Sequence, residues 1–259
     1  MIPLISELDI KRQFGALSRL YGVIGAQRIS SAHIVIVGIG GVGSWSAEAL
    51  ARSGVSRLTL IDLDHVSESN INRQIQALTA TVGQAKVLAM RDRIHAINPV
   101  CQVECVEEFV DPMNWEALIP DDVTAVIDAC DKVDAKVTMS AWARDTKTLF
   151  ISVGAAGGKR HAHLVDINDL ARVTHDPLLA QVRYRLRKHH GAPREGKLTG
   201  VACVFSSEAV MAPDSSCALE ADGSLNCHGY GSVVSVTATF GQCAAGWILD
   251  QISKNNRST

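Results

Sequence analysis

A short run of β-branched residues, His33–Val37 (HIVIV), passes without a break into the glycine string GIGGVGS and then into a stretch with helical spacing. Gly38, Gly40 and Gly43 satisfy G-x-G-x-x-G in the strand-to-helix setting that gives that spacing its meaning, with Gly41 inside the same loop. The first glycine allows a tight turn, the second lets the backbone approach a phosphate, and the third lets the helix pack on its strand. The helix start then offers N–H groups and the positive end of its dipole to an anion.

Around this loop, residues 33–152 alternate short β-branched runs with longer helical stretches, the pattern of βαβ units and a parallel sheet. Strands are expected at His33–Val37, Arg57–Ile61, Cys101–Glu107, Val123–Ile127 and Thr148–Ser152, and helices near Val42–Ser53, Gly83–Ile97 and Val133–Thr146. Gly54 closes the first helix, and Asn98-Pro99 ends the second because the residue before proline disfavours the α region. The fold class is therefore α/β, a Rossmann-like and mostly parallel sheet with helices on both faces. Beyond Gly154–Gly158 the pattern changes to a strand-like HAHLVDI, an arginine-rich helix, and Gly- and Ser-rich connections before an apolar ending. Residues 1–158 are read as the nucleotide-binding region with a helical N-terminal segment. Residues 159–259 are read as a less regular substrate-binding part integrated with it.

A net charge of −2 and a pI near 6.5 exclude a global basic field, though not a local one. Seven cysteines are an odd number, and none has C-x-x-C spacing, which argues against a disulfide framework and against a zinc knuckle. The N-terminus, MIPLISELDIKRQFG, lacks the form of a secretion signal. The uncharged run Ser232–Leu249 sits at the lower limit for a membrane span, and its hydroxyl residues, Gln242 and glycines favour a buried strand turning into a core helix. The expectation is a cytoplasmic protein without membrane association and without zinc.

Asp62 ends the second strand, where an acid can accept both ribose hydroxyls. The loop and this acid leave NAD and ATP open. Next, in IDLDHVSESNINRQ, come Asp64, Asn70, Asn72, Arg73 and Gln74, with Lys86 on the following helix. A hydride-transfer enzyme needs an apolar slot here, whereas Arg73 and Lys86 aimed at one crevice suit a triphosphate whose charge grows during transfer. Asp131 follows the strand VTAVI at the C-terminal edge of the sheet, where ligands collect. Mg²⁺ is commonly held by one or two carboxylates plus phosphate oxygens, and the alternative for Asp131 is a helix N-cap.

The strings GIGGVGS, DLDHVSESNINRQ and VIDACD resemble the ubiquitin-activating-enzyme-like superfamily, which includes the adenylyltransferases of molybdopterin and thiamine biosynthesis. That resemblance implies that Asp62 holds ribose, that Asn70, Arg73, Gln74 and Lys86 handle phosphates, and that Asp131 positions Mg²⁺. It also implies catalytic roles for Arg73, Lys86 and Asp131. The superfamily usually has asparagine where this chain has Lys132. The segment KRQFGALSRLYG resembles one that sends an arginine, here Arg19, to the ATP of a partner subunit, which implies a homodimer.

In the second half, GAAGG, DPLLAQVRYRLRKHH, GKLTGVACVFSSE and GYGSVVSVTATFG resemble the tRNA threonylcarbamoyladenosine dehydratases. The implied reaction is ATP-dependent cyclisation of the threonylcarbamoyl group through adenylation of its carboxylate. A tRNA substrate needs phosphate contacts, and Arg183, Arg185, Arg187, Lys188, Arg194 and Lys197 supply a basic stripe against one acid, Glu195. Cys203, Cys217 and Cys227 could take over an acyl group only with a lowered pKa, and buried structural thiols are the simpler expectation. A monovalent cation in the glycine-rich second half and a sulfur-transfer partner protein also stand as expectations. The rival readings are a sulfur-carrier-protein adenylyltransferase, an NAD-dependent dehydrogenase and a non-catalytic nucleotide-binding module.

Overall fold

Among the described residues, seven strands form one sheet in the order β3-β2-β1-β4-β5-β7-β6: β1 (His33–Val37), β2 (Arg57–Ile61), β3 (Gln102–Val106), β4 (Ala125–Asp128), β5 (Leu149–Val153), β6 (Val165–Asp169) and β7 (Ala202–Ser206). The computed structural model describes residues 7–194, 196–214 and 230–254, so Glu195, Cys217 and Cys227 lie outside the described residues. Every pairing is parallel except β6 with β7. Ile34 faces Leu58 on one side and Ala125 on the other, so the strand order reverses at β1/β4. A crevice outside the C-terminal ends of the strands is the usual consequence of such a reversal.

The inner strands β1, β2 and β4 are buried on both faces, which is why they read as near-continuous apolar runs, whereas the edge strands β3 and β6 are half-buried and mixed in sequence. Ile34 and Ile36 of β1 enter one core with α2 (Gly43–Arg52), α3 (Lys86–Ile97) and α7 (Val234–Lys254). Val35 and Val37 enter the other with α4 (Trp115–Leu118), α5 (Val133–Thr146) and α6 (Pro177–His189). An N-terminal helix, α1 (Glu7–Ser31), bends at Gly22, whose φ of 74° suits a residue without Cβ, and packs on α7.

The structure corrects several expectations. The run Ser232–Leu249 does not open as a strand: Val234 already begins α7. Its apolar residues Val236, Phe240, Ala244, Ile248 and Ile252 recur every fourth position and are all buried, a helical row that outweighs the β-branched start. At Gly241 the helix presses on α2 so closely that a Cβ would lie 2.5 Å from the Val42 carbonyl oxygen. No helix among the described residues is long and apolar enough to cross a membrane. The second crossover helix starts at Lys86 rather than Gly83, because Gly83 (φ 86°) turns the chain and its N–H donates to the Val66 carbonyl. Of HAHLVDI, Ala162–Leu164 form a 3-10 turn and only the end is strand. The sheet itself runs past residue 158, since β7 pairs directly with β5.

Candidate active site

At the β1/β4 reversal the glycine loop builds one wall of an open crevice. Gly38 has φ 87°, and a side chain there would meet the Ala129 carbonyl oxygen at 2.8 Å. A Cβ on Gly40 would meet nothing within 4 Å, so this position opens onto the crevice. A Cβ on Gly43 would fall 1.8 Å from the Gly38 carbonyl oxygen, which fixes how closely α2 sits on β1. We therefore expect Gly43→Ala to cost at least about 2 kcal/mol in thermal or urea unfolding, because backbone rather than a flexible side chain must give way. A variant as stable as the parent would show that α2 can back away freely.

Asp62, at the end of β2, is buried, with Oδ2 accepting the Ile39 N–H at 2.6 Å and Oδ1 accepting the Asp64 N–H at 2.9 Å. Burial pushes its pKa above the usual carboxylate value, against the pull of Lys86 and of these two donors. Each oxygen keeps a second lone pair for a ribose hydroxyl. Lys86 opens α3, its N–H donating to the Asp64 carbonyl, and its ammonium pairs with Asp64 Oδ2 at 2.6 Å. Lys86 is buried, whereas Asp64 is exposed, and both line the crevice.

Arg73 and Gln74 also line it and are buried. Asn70 and Asn72 do not: they stand behind. Asn70 Oδ1 accepts the Ser67 N–H, and the Asn70 carbonyl accepts the N–H groups of both Arg73 and Gln74. Asn72 accepts from the Arg73 guanidinium at 2.9 Å and donates to the Ser232 carbonyl. Gln76, which the sequence did not single out, donates to the Ile39 carbonyl at 2.8 Å and so steadies the glycine loop. A polar residue in a Q-x-Q pair beside the phosphate cluster was its only signal.

The wall beyond the loop carries Asp131, exposed and lining the crevice. The N-cap position of α5 falls to Lys132, without a side-chain hydrogen bond, so Asp131 does not cap that helix. Among the described residues no group of three or more His, Cys, Asp or Glu is placed to hold a metal. A divalent ion here would lean on one carboxylate, phosphate oxygens and water, an arrangement that suits Mg²⁺.

Beneath this wall lies a pair that sequence reasoning missed. Asp128 and Lys136 are fully buried and 3.0 Å apart, Ser152 donates to Asp128 Oδ2 at 2.6 Å, and Lys136 donates to the Val153 carbonyl at 2.7 Å. Burial works against the Lys136 charge, but the Asp128 carboxylate beside it outweighs burial and holds the ammonium above the usual lysine value. Burial and the same carboxylate push the Cys130 thiol well up, and burial does the same to Cys203, so neither is poised as a thiolate.

Arg19 is exposed on α1 and does not line the crevice of its own chain. The basic window divides. Arg183 donates to the Leu170 and Val173 carbonyls and Arg187 to that of Pro193, while Arg185 pairs with Asp134. Lys188, Arg194 and Lys197 are exposed, the first lying 5.8 Å from the Tyr184 ring centroid. The described stripe therefore offers three exposed cations, not six, because Arg183 and Arg187 fasten α6 to its neighbours and Arg185 is paired.

The model of the ThiF family matches residues 10–259. The tRNA threonylcarbamoyladenosine dehydratase of Escherichia coli K12 is 43% identical over 252 residues, covering 93% of this chain and 94% of that protein. The crystal structure of the E. coli tRNA N6-threonylcarbamoyladenosine dehydratase in complex with ATP superposes with a TM-score of 0.86 at 41% identity, covering 96% of each chain. The structure of that enzyme with AMP gives 0.86 at 42% identity and the same coverage.

Proposed function

The chain belongs to the ThiF family, and from that premise we propose that it is an ATP-dependent enzyme that cyclises threonylcarbamoyladenosine in tRNA with loss of water. What carries the reading is that the likeness to a dehydratase runs through the second half of the chain, α6 and β7 included, and not through the nucleotide-binding half alone.

The residues divide the work along the crevice. The ribose hydroxyls of ATP donate to Asp62, and the phosphates lie against the glycine loop and the start of α2. Arg73 and Lys86 neutralise the pyrophosphate as its charge grows, Asn70 and Asn72 hold Arg73 in place, and Gln74 adds a polar contact. Asp131 would hold Mg²⁺, which supplies charge neutralisation on the phosphates. The threonine carboxylate attacks the α-phosphorus and pyrophosphate leaves. The acyl carbon is then attacked from the carbamoyl side and AMP departs with the former carboxylate oxygen, so the nucleoside loses one water in total. Tethering nucleophile and acyl group in one side chain makes the second step intramolecular.

Lys188, Arg194 and Lys197 are assigned to tRNA phosphates, residues 159–259 to the substrate side of the same unit, and Arg19 to the ATP of a second copy in a homodimer. Such a reaction belongs in the cytoplasm. Neither a monovalent cation nor a sulfur-transfer protein takes part in these steps. Buried Arg73 and Lys86 beside the glycine loop speak against a nicotinamide slot.

Incubated with ATP, Mg²⁺ and threonylcarbamoyladenosine-containing tRNA, the protein should release AMP and lower the nucleoside mass by one water. An unchanged nucleoside, with protein that is folded and binds ATP, would remove the proposal. Pyrophosphate exchange driven by a small protein ending in Gly-Gly would favour the sulfur-carrier adenylyltransferase instead.

A further inference from the structure

Asp176 belongs to neither the nucleotide wall nor the cationic stripe, yet it touches the backbone behind both. It caps α6: Oδ1 accepts the Leu179 N–H at 2.9 Å, with Pro177 in the first turn. Its other oxygen accepts the Ala155 N–H at 2.9 Å. Ala155 lies in the segment 154–157 that lines the crevice beyond β5. The side chain is buried, at 4% exposure, and a Cβ on Gly154 would fall 2.0 Å from Oδ2, so Gly154 is a glycine because the carboxylate occupies that space.

The same segment is gripped from a second side. Lys136, fully buried on α5, donates to the Val153 carbonyl at 2.7 Å while held by Asp128. Burial pushes the Asp176 pKa above the usual carboxylate value, and the Leu179 and Ala155 N–H groups, with Lys136 and Lys159, pull part of the way back. Two buried side chains of opposite charge therefore fix the carbonyl of residue 153 and the N–H of residue 155. A carboxylate that shares its two oxygens between a helix start and a loop keeps their spacing constant, since breaking the link costs a charge-assisted hydrogen bond on each side.

Strand order gives this wall its place in the reaction. From β2 through β1 and β4 to β5, the crevice passes from Asp62, past the glycine loop, to residues 154–157. Asp62 and residues 154–157 therefore lie toward opposite sides of the crevice, which leaves its β4/β5 side for the acid to be adenylated.

We propose that Asp176 is a positioning residue for the acyl half of the reaction, tying α6 to the crevice wall so that RNA held at the C-terminal end of that helix, where Lys188 is exposed ahead of Arg194 and Lys197, presents its carboxylate in fixed register with ATP. This rests on the dehydratase reading. The informative variant is Asp176→Ser, since serine caps a helix well but is too short to serve Ala155 at the same time. Asp176→Ala removes both contacts.

Two measurements separate the outcomes. In Asp176→Ser, amide hydrogen exchange at Ala155 should speed up at least tenfold while Leu179 stays protected. Dehydration kcat should fall at least tenfold with KM for ATP within twofold of the parent. Full kcat in Asp176→Ser together with lost activity in Asp176→Ala would overturn the proposal, because a helix cap alone would then suffice. Equal losses in kcat and in the folded fraction would also overturn it, as would an Ala155 amide that stays protected. If the parent protein does not dehydrate the tRNA at all, the dehydratase reading fails, and the link itself still stands or falls on the Ala155 exchange.

Discussion

Arg73→Ala is expected to release AMP from ATP and modified tRNA at least about 100-fold more slowly than the parent chain, the scale seen when one donor to developing charge is removed. The effect should fall on kcat more than on KM for ATP, because charge on the leaving pyrophosphate is larger in the transition state than in bound ATP. The buried guanidinium donates to the Ser69 carbonyl and to Asn72, so the loop 67–74 will loosen somewhat. Sheet and core do not depend on it. Steady-state kinetics beside circular dichroism check this, and a turnover near that of the parent in folded protein would show that the phosphates lie elsewhere. Asp131→Ala should behave alike, with less structural consequence still, because its carboxylate is exposed.

The largest loss of stability is expected from Lys136→Met, about 3–5 kcal/mol in denaturant unfolding, the cost of leaving one charge of a buried pair alone. Asp128 would keep Ser152 as a donor but lose the ammonium at 3.0 Å inside a region without solvent. The double variant Asp128→Leu with Lys136→Met should recover much of that loss, since two apolar groups need no partner. If the single variant unfolds at the same denaturant concentration as the parent, the pair is not load-sharing between β4, β5 and α5 as the contacts imply.

Local chemistry makes much of the first half legible in the sequence alone. His33–Val37, Arg57–Ile61 and Val133–Thr146 occur with the expected boundaries because β-branched runs and helical spacing are there closed off by glycine or by charged turns. Where an end depends on a distant partner the reading slipped. Val123 was expected to open β4, but the Val123 N–H closes a turn onto Pro120 and that of Thr124 donates to His33, so the strand begins at Ala125. The place of β7 between β5 and β6 could not be read, since no local pattern records which strands meet across a long connection. At the site, Gly38, Gly40, Gly41, Asp62, Arg73 and Lys86 line one crevice, and their motif spacing made them legible as candidates. Asp128, Lys136 and Asp176 were not, because a buried charge looks like a surface charge until its partner is known.

Lys86 reaches the crevice with Asp64 already as its partner. A triphosphate that takes this ammonium must displace a carboxylate, so its affinity reflects the difference between two anions and not the full attraction of either. One consequence is selectivity by charge: a ligand with a single weak anionic group gains little from the swap, whereas a polyanion gains enough to complete it. Another is that the released carboxylate joins the negative side of the site at the moment the phosphates arrive. Asp64→Asn should therefore bind ATP more tightly at low salt, and would discriminate less sharply between ATP and AMP.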